Sequence, residues 1–311
     1  SSPSHSIAPI AYHEGWARDG AIVSSSSPYN IPVVFNHNGA NGTVGPLFWA
    51  HYSYLALDPR GLSDSYAEYW DVVKNHTEII HEYCVDNPNA YMGYNERCWG
   101  LTASYSRNPD GSTGYAAHQP NNDIGVISPT AALSSMAYAP TKSIDFLRYL
   151  YEETQGVYTG MAGPFDAFSP HHPWKTERYL AIDQGTIGPM LENHKSQLFW
   201  NLFMNAPDIK QGLQKLGFTS TQHDLTTSVI ENNISLMMEV FPNPATDQLN
   251  IIMRDEGIGS EFKVIDNSGI VVLSDTITSQ KTVVDIKRLI KGVYYIVVGE
   301  RLLANHKVIK L

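Results

Sequence analysis

The chain has 311 residues, 42% of them hydrophobic, and 21 Lys and Arg against 31 Asp and Glu give a net charge of -10. That length is comfortable for two domains, and the composition supplies a packed core. The acidic excess lies entirely before Met237, with 12 basic and 22 acidic residues there. Such a surface lacks the clustered Lys and Arg that neutralise phosphate, which argues against a nucleic-acid partner. No stretch approaches the roughly 18–20 apolar residues of a membrane span.

Residues 1–6 have neither the basic start nor the apolar core of a signal peptide, and there is no initiator Met. The expectation is that the chain continues a longer protein. Ser65 with Glu68 offers a capping box, and Tyr66, Tyr69, Trp70, Val73, Ile80 and Tyr83 then recur at helical spacing. Ile144, Leu147, Leu150 and Tyr151 predict a second buried stripe. Ile187, Leu191, His194, Leu198 and Leu202 predict a longer one. Ile209, Leu213 and Leu216 predict a last short helix closed by Gly217. The connections 29–45, 104–128 and 156–176 are long and polar, the kind of loop that carries function. About six helices with elaborate loops suggest roughly half of a six-pair α/α toroid. Cys84 and Cys98 read either as a disulfide or as two buried thiols.

Residues 219–236 are polar and read as a linker. The period then changes to two. Leu249, Ile251 and Met253 alternate with polar neighbours, Asn267-Ser268-Gly269 marks a turn, and short apolar runs follow to Leu311. This pattern predicts a small β-sandwich. The fold class expected is therefore multi-domain: a mainly α partial (α/α)6 toroid over residues 1–218, a linker, and an all-β sandwich over residues 237–311.

Phe241-Pro242-Asn243-Pro244-Ala245, the strand from Asp247 to Ile251, Gly292-Val293-Tyr294-Tyr295 and the terminal Lys307-Val308-Ile309-Lys310-Leu311 resemble the C-terminal sorting domain of the type IX secretion system. The resemblance implies the type IX machinery as a partner through residues 237–311. It also implies export, with release or attachment at the outer-membrane surface. A generic β-sandwich appendage is the plainer reading; this segment has no tryptophan, which weakens sugar binding.

Gly45-Pro46-Leu47-Phe48-Trp49-Ala50-His51-Tyr52, Leu57-Asp58-Pro59-Arg60-Gly61, Cys98-Trp99-Gly100-Leu101 and Tyr179-Leu180-Ala181-Ile182-Asp183-Gln184-Gly185 resemble the glycoamylase-like family that includes bacterial endo-β-1,2-glucanases. The resemblance covers roughly residues 1–218. It implies an (α/α)6 toroid acting on glucan, with no metal and no cofactor needed for the chemistry. Glycoside hydrolysis asks for one carboxylic acid, one carboxylate and aromatic faces for the sugar.

Asp183 is the first candidate base, acting directly or through a water or a substrate hydroxyl; its alternative is a helix N-cap. Glu96, beside Trp99, reads as acid, subsite residue or solvated loop charge. Asp166, between Phe165 and Phe168, reads as catalytic or as a turn former. Trp49, His51, Tyr52, Arg60, Trp99, Trp174 and Gln184 are the candidate substrate contacts. His51 reads equally as a core histidine, and Arg60 as the partner of Asp58. Asn36, His37, Asn38 and Asn41 read as a surface turn. In the family a Tyr-Asn-Glu block, a home for the general acid, precedes the segment that resembles Ser2 to His5. That block is absent here, and Tyr94-Asn95-Glu96 repeats its letters in a different context.

Overall fold

The computed structural model describes residues 7–226, 238–253, 258–298 and 304–311. The chain divides into two compact units, Ser1–Thr227 and Ser228–Leu311.

The first unit opens with short helical turns and the two-residue strand β1 (Leu62–Ser63). The helix α1 (Tyr69–Asp86) follows. Tyr69, Val73, His76, Ile80, Tyr83 and Cys84 recur at three- and four-residue spacing among its buried residues, and Thr77, Ile79 and His81 widen the stripe that faces the core. The Ser65–Glu68 capping box does not form. Glu68 sits at the N-cap without a side-chain cap, and Asp64 Oδ1 instead accepts from the backbone N–H groups of Tyr66 and Ala67 at 2.8 and 3.0 Å. Asn87 ends α1 in the left-handed region, which Asn tolerates well.

A hairpin of β2 (Ala103–Arg107) and β3 (Thr113–Ala117) precedes α2 (Pro129–Leu133) and α3 (Pro140–Arg148). Both helices start on proline, whose missing N–H costs nothing at that position. The face α3 buries is set by Ser143 and Phe146, continuing through Tyr149 and Leu150 in one wider turn. Of the expected stripe only Leu150 is in the core; Ile144, Leu147 and Tyr151 are exposed. Two small hairpins follow, β4 (Thr159–Gly160) with β5 (Gly163–Pro164), and β6 (Phe168–Ser169) with β7 (Trp174–Lys175).

The chain then runs through α4 (Ala181–Gln184), α5 (Ile187–Ser196), α6 (Leu198–Met204) and α7 (Pro207–Lys215). The stripe read as one long element from Ile187 to Leu202 is broken at Gln197, which has φ 61°. Asn193 supplies the reason. It is buried, and its Oδ1 accepts from the N–H groups of Phe199 and Trp200 at 3.1 and 3.2 Å, satisfying the start of α6 from inside α5. Met190, Trp200 and Met204 are buried, while Leu191, Leu198 and Leu202 face outward. α7 ends as expected. Gly217 has φ +78°, its N–H bonds the Gln214 carbonyl, and the Phe218 N–H bonds the Leu213 carbonyl, a Schellman closure.

Part of the expected linker belongs to this unit. β8 (Thr219–Ser220) pairs antiparallel with β1, His223 bonds Asp58, and Leu225 is buried. Residues 227–236 of that linker lie outside the described residues. The core gathers Val73, Ile80, Trp99, Leu101, Phe146 and Trp200. Cys84 and Cys98 are buried and free, which decides against the disulfide.

The second unit has two sheets. One orders β9 (Glu239–Phe241), β10 (Gln248–Ile252) and β13 (Lys281–Asp285) with β10 central. The other orders β12 (Val271–Thr276), β11 (Glu261–Asp266), β14 (Gly292–Val298) and β15 (Ala304–Lys310). Leu249, Ile251 and Val284 from the first pack with Phe262, Val264, Ile296 and Val308 from the second. The alternation predicted a sandwich because one face of each strand is apolar. The opening motif and the closing strand are joined directly. Asn243 accepts from the Ile309 N–H and donates to the Lys307 carbonyl, and Ala245 bonds Ile309 and Leu311 through its backbone.

Candidate active site

Two carboxyl groups meet in the first unit. Asp166 follows β5 and leads into β6; its backbone N–H bonds the Arg178 carbonyl at 3.0 Å, and its Oδ2 accepts from the Tyr105 N–H at 2.7 Å. Asp183 lies in α4, with its carbonyl held by the hydroxyls of Thr130 at 2.6 Å and Thr186 at 2.8 Å. Its Oδ1 accepts from Tyr115 at 3.3 Å and Tyr52 at 3.5 Å. Both residues are buried, 1% and 4% exposed. The two remaining oxygens, Asp166 Oδ1 and Asp183 Oδ2, are buried with no other partner, and the carboxyls lie within hydrogen-bond reach of each other.

Burial disfavours the charged form of both groups. It pushes Asp166 well above the usual carboxylate range, aided by the negative neighbour and opposed by the Tyr105 N–H. It raises Asp183 as well, with bonds from Tyr115, Asp166 and Tyr52 pulling the other way.

A cavity of about 910 Å³ is lined among others by Trp16, Asn36, His37, Asn38, Trp49 and Tyr52, and by neither carboxyl. Tyr52 belongs to both places, since its hydroxyl also donates to the Ile182 carbonyl at 2.8 Å. Trp49 is 38% exposed and leans against His37, ring centroids 5.2 Å apart. The ring can lie there because position 45 has no side chain; a Cβ on Gly45 would meet it at 2.4 Å. His37 takes the Gly45 N–H on Nδ1, and burial lowers it to about 4, so it is a neutral ring. A concave wall of aromatic rings with Asn and His groups suits a polyhydroxyl ligand.

Of the sequence-derived candidates, Asp166, Asp183, Tyr52 and Trp49 come together around this region. Gln184 follows Asp183 and bonds the Pro164 carbonyl, bracing the two carboxylate segments. Trp174 is half-buried on β7, paired with Ser169 of β6. Four candidates are elsewhere. His51 is a core residue, 2% exposed, stacked on Tyr138 with Nε2 3.1 Å from Ser135 Oγ, and so is not a subsite wall. Trp99 is fully buried with its edge against His81 and has no face for a sugar. Arg60 pairs with Asp58 through Nε at 2.9 Å and Nη2 at 2.6 Å and lies over the Trp200 ring. Glu96 is exposed after α1, its carbonyl taken by His81, with no hydrogen bond to the carboxyl pair. The surface-turn reading of residues 36–41 is also corrected, because they line the cavity. Tyr105 and Tyr115 of the β2–β3 hairpin were not singled out from sequence. The signal available for them was a pair of tyrosines directly across a hairpin.

Residues 1–207 match the family model Glycoamylase, described as "Putative glucoamylase". The chain belongs to that family. Residues 239–310 match the model of a secretion system C-terminal sorting domain. An endo-β-1,2-glucanase from Chitinophaga pinensis, solved with sophorotriose and glucose, is 49% identical with a TM-score of 0.67, over 70% of this chain and 52% of that one. An exo β-1,2-glucooligosaccharide sophorohydrolase (non-reducing end) from Parabacteroides distasonis is 35% identical over 235 residues, 69% of this chain and 31% of its own. A β-1,2-glucanase structure from Parabacteroides distasonis is 31% identical with a TM-score of 0.61, over 69% of this chain and 32% of that one. The chain thus spans about half the length of the Chitinophaga structure and about a third of the Parabacteroides proteins.

Proposed function

We propose that this chain carries the base side of a glycoside hydrolase site that cleaves β-1,2-glucan internally, built on a partial (α/α)6 toroid. The observation that carries the reading is the Asp183 carboxyl, held by Tyr52 at the edge of an aromatic and amide-lined cavity. The three relatives whose names give β-1,2-glucanase or sophorohydrolase activity support the substrate class.

The geometry constrains the division of labour. An acid and a base that flank a glycosidic bond stand about 5–5.5 Å apart for retention or about 6.5–9.5 Å for inversion. Asp166 and Asp183, in hydrogen-bond reach, are too close to do so as a pair. Asp183 therefore serves as base, taking a proton from water directly or through a substrate hydroxyl. The oxygen of that water bonds to the anomeric carbon while the bond to the leaving oxygen breaks. The leaving oxygen takes its proton from an acid on the other side of the sugar. The sorting-domain match supports export through the type IX machinery, to the outside or to the outer-membrane surface.

A second reading, glucan binding without turnover, has one observation in its favour: among the described residues, the cavity lining holds no carboxylate. Incubation of the full chain with linear β-1,2-glucan separates the two. Short oligosaccharides support hydrolysis; a retained ligand without products supports binding; products from another glucan alone overturn the substrate assignment.

A further inference from the structure

The mechanism uses one carboxyl, and the structure brings two together. Asp166 Oδ2 receives a single backbone N–H, Asp183 Oδ1 receives two phenolic hydroxyls, and each carboxyl keeps one buried oxygen without any other donor. Were both groups ionised, two neighbouring buried carboxylates would each carry an oxygen that no donor satisfies. No Lys or Arg forms an ion pair with either among the described residues. The groups that bond the two residues are the Tyr52 and Tyr115 phenols and the backbones of Tyr105 and Arg178; the Arg178 guanidinium lies over the Tyr105 ring at 5.5 Å. Two carboxyls in this position share a proton, because like charges that close cannot both persist in a poorly solvated site.

We propose that Asp166 and Asp183 share one proton, resident on Asp166 Oδ1 and donated to Asp183 Oδ2, which makes Asp166 a positioning residue and Asp183 the carboxylate that works. The assignment follows from the donors. Two hydroxyls stabilise negative charge on Asp183, against one N–H on Asp166. The upward push on Asp166 from burial is in the same sense. The proton pins one oxygen of Asp183 and leaves the tyrosine-lined oxygen toward Tyr52 and the cavity. Loss of the proton turns the anchoring contact into repulsion.

As a role in turnover this rests on the hydrolase reading above; the shared proton itself does not. The test combines a substrate-free and a substrate-dependent measurement on the full chain. In Asp166→Asn the amide can accept from the Tyr105 N–H and donate to Asp183 Oδ2, so both bonds survive without titration. Carbon-13 NMR of labelled aspartate carboxyls in the wild type is expected to show one carboxyl protonated well above about pH 5, where free aspartate is ionised. That signal is absent from Asp166→Asn. In hydrolysis, Asp166→Asn keeps kcat within about tenfold of wild type, leaves KM unchanged and loses the activity decline that accompanies deprotonation. Asp166→Ala loses at least about 100-fold in kcat, on the scale of a mispositioned base. A wild-type spectrum with every aspartate ionised above about pH 5 overturns the shared proton. Turnover in Asp166→Asn as low as in Asp183→Asn overturns the positioning role. Absence of any wild-type hydrolysis refutes the glucan reading and leaves the spectroscopic answer standing.

Discussion

Replacing Arg60 with Met discriminates a structural from a substrate-binding role at a position where the sequence left both open. Asp58 is 0% exposed and receives three bonds from Arg60, from its backbone N–H at 3.0 Å and its guanidinium at 2.9 and 2.6 Å, and one from His223 at 2.8 Å. Burial by itself would raise Asp58, but the Arg60 and His223 bonds outweigh it and hold the group below the usual carboxylate range. Removing one partner of a buried ion pair costs about 3–5 kcal/mol because the other charge is stranded. His223 and the backbone N–H remain, so the expected loss is near the lower end, about 3 kcal/mol, including the contact over Trp200. For a unit of this size that is roughly 6–12 °C in Tm. All six tryptophans precede Phe218, so their fluorescence reports the first unit alone. Urea titrations followed that way, at neutral pH and again near pH 4, measure the loss and its dependence on acid. A lowered folded pKa contributes stability above the unfolded value, lost as pH falls through the folded one; without the Arg60 side-chain bonds less of that stability exists, so the loss between neutral pH and pH 4 should be smaller in the variant than in the wild type. A stability change under about 1 kcal/mol, together with a raised KM for glucan, would show that Arg60 contacts sugar and that its pairing with Asp58 is incidental.

Other outcomes follow from the same geometry. Burial lowers His51 to about 3, and His37 and His118 to about 4, so these rings stay neutral in the folded state while the unfolded chain takes up protons below about pH 6.5. Each then costs roughly 1.4 kcal/mol per pH unit between that point and its folded pKa, so acid titration of the fluorescence-detected unfolding free energy should fall steeply there; a flat profile from pH 6.5 to about 4 contradicts the burial. Gly45→Ala forces the Trp49 ring away, and the expected effect is a several-fold higher KM with kcat little changed, measured on β-1,2-glucan; unchanged KM removes Trp49 from the site. Cys84 and Cys98 should resist a thiol reagent in the native chain and both react in denaturant; a count of zero in denaturant means a disulfide.

Period and punctuation were legible wherever local physics decides them. The α1 stripe, the Gly217 closure and the two-residue alternation of the sandwich all follow from side-chain spacing and backbone preference. The α5–α6 break was not legible, because it depends on Asn193 turning inward to satisfy two distant N–H groups. The same limit explains the site. Asp183 stood out as a carboxyl in an apolar strip, but its neighbour Asp166 and its donors Tyr52 and Tyr115 arrive from segments 17 to 131 residues away along the chain. Residues 36–38 looked like a turn because Asn and Gly signal turns, and only tertiary folding puts them around Trp49. His51 and Trp99 looked like subsite residues for the converse reason: aromatic residues near a motif serve cores as readily as ligands.

The most direct test of the account is product release from linear β-1,2-glucan, followed in parallel for the wild-type chain and Asp183→Asn at matched folding. Short oligosaccharides are expected from the wild type, and a kcat lower by about 1,000-fold or more in the variant, the scale of losing a base. Near-normal release by Asp183→Asn, or a wild type that cleaves a different glucan and leaves this one intact, would contradict it.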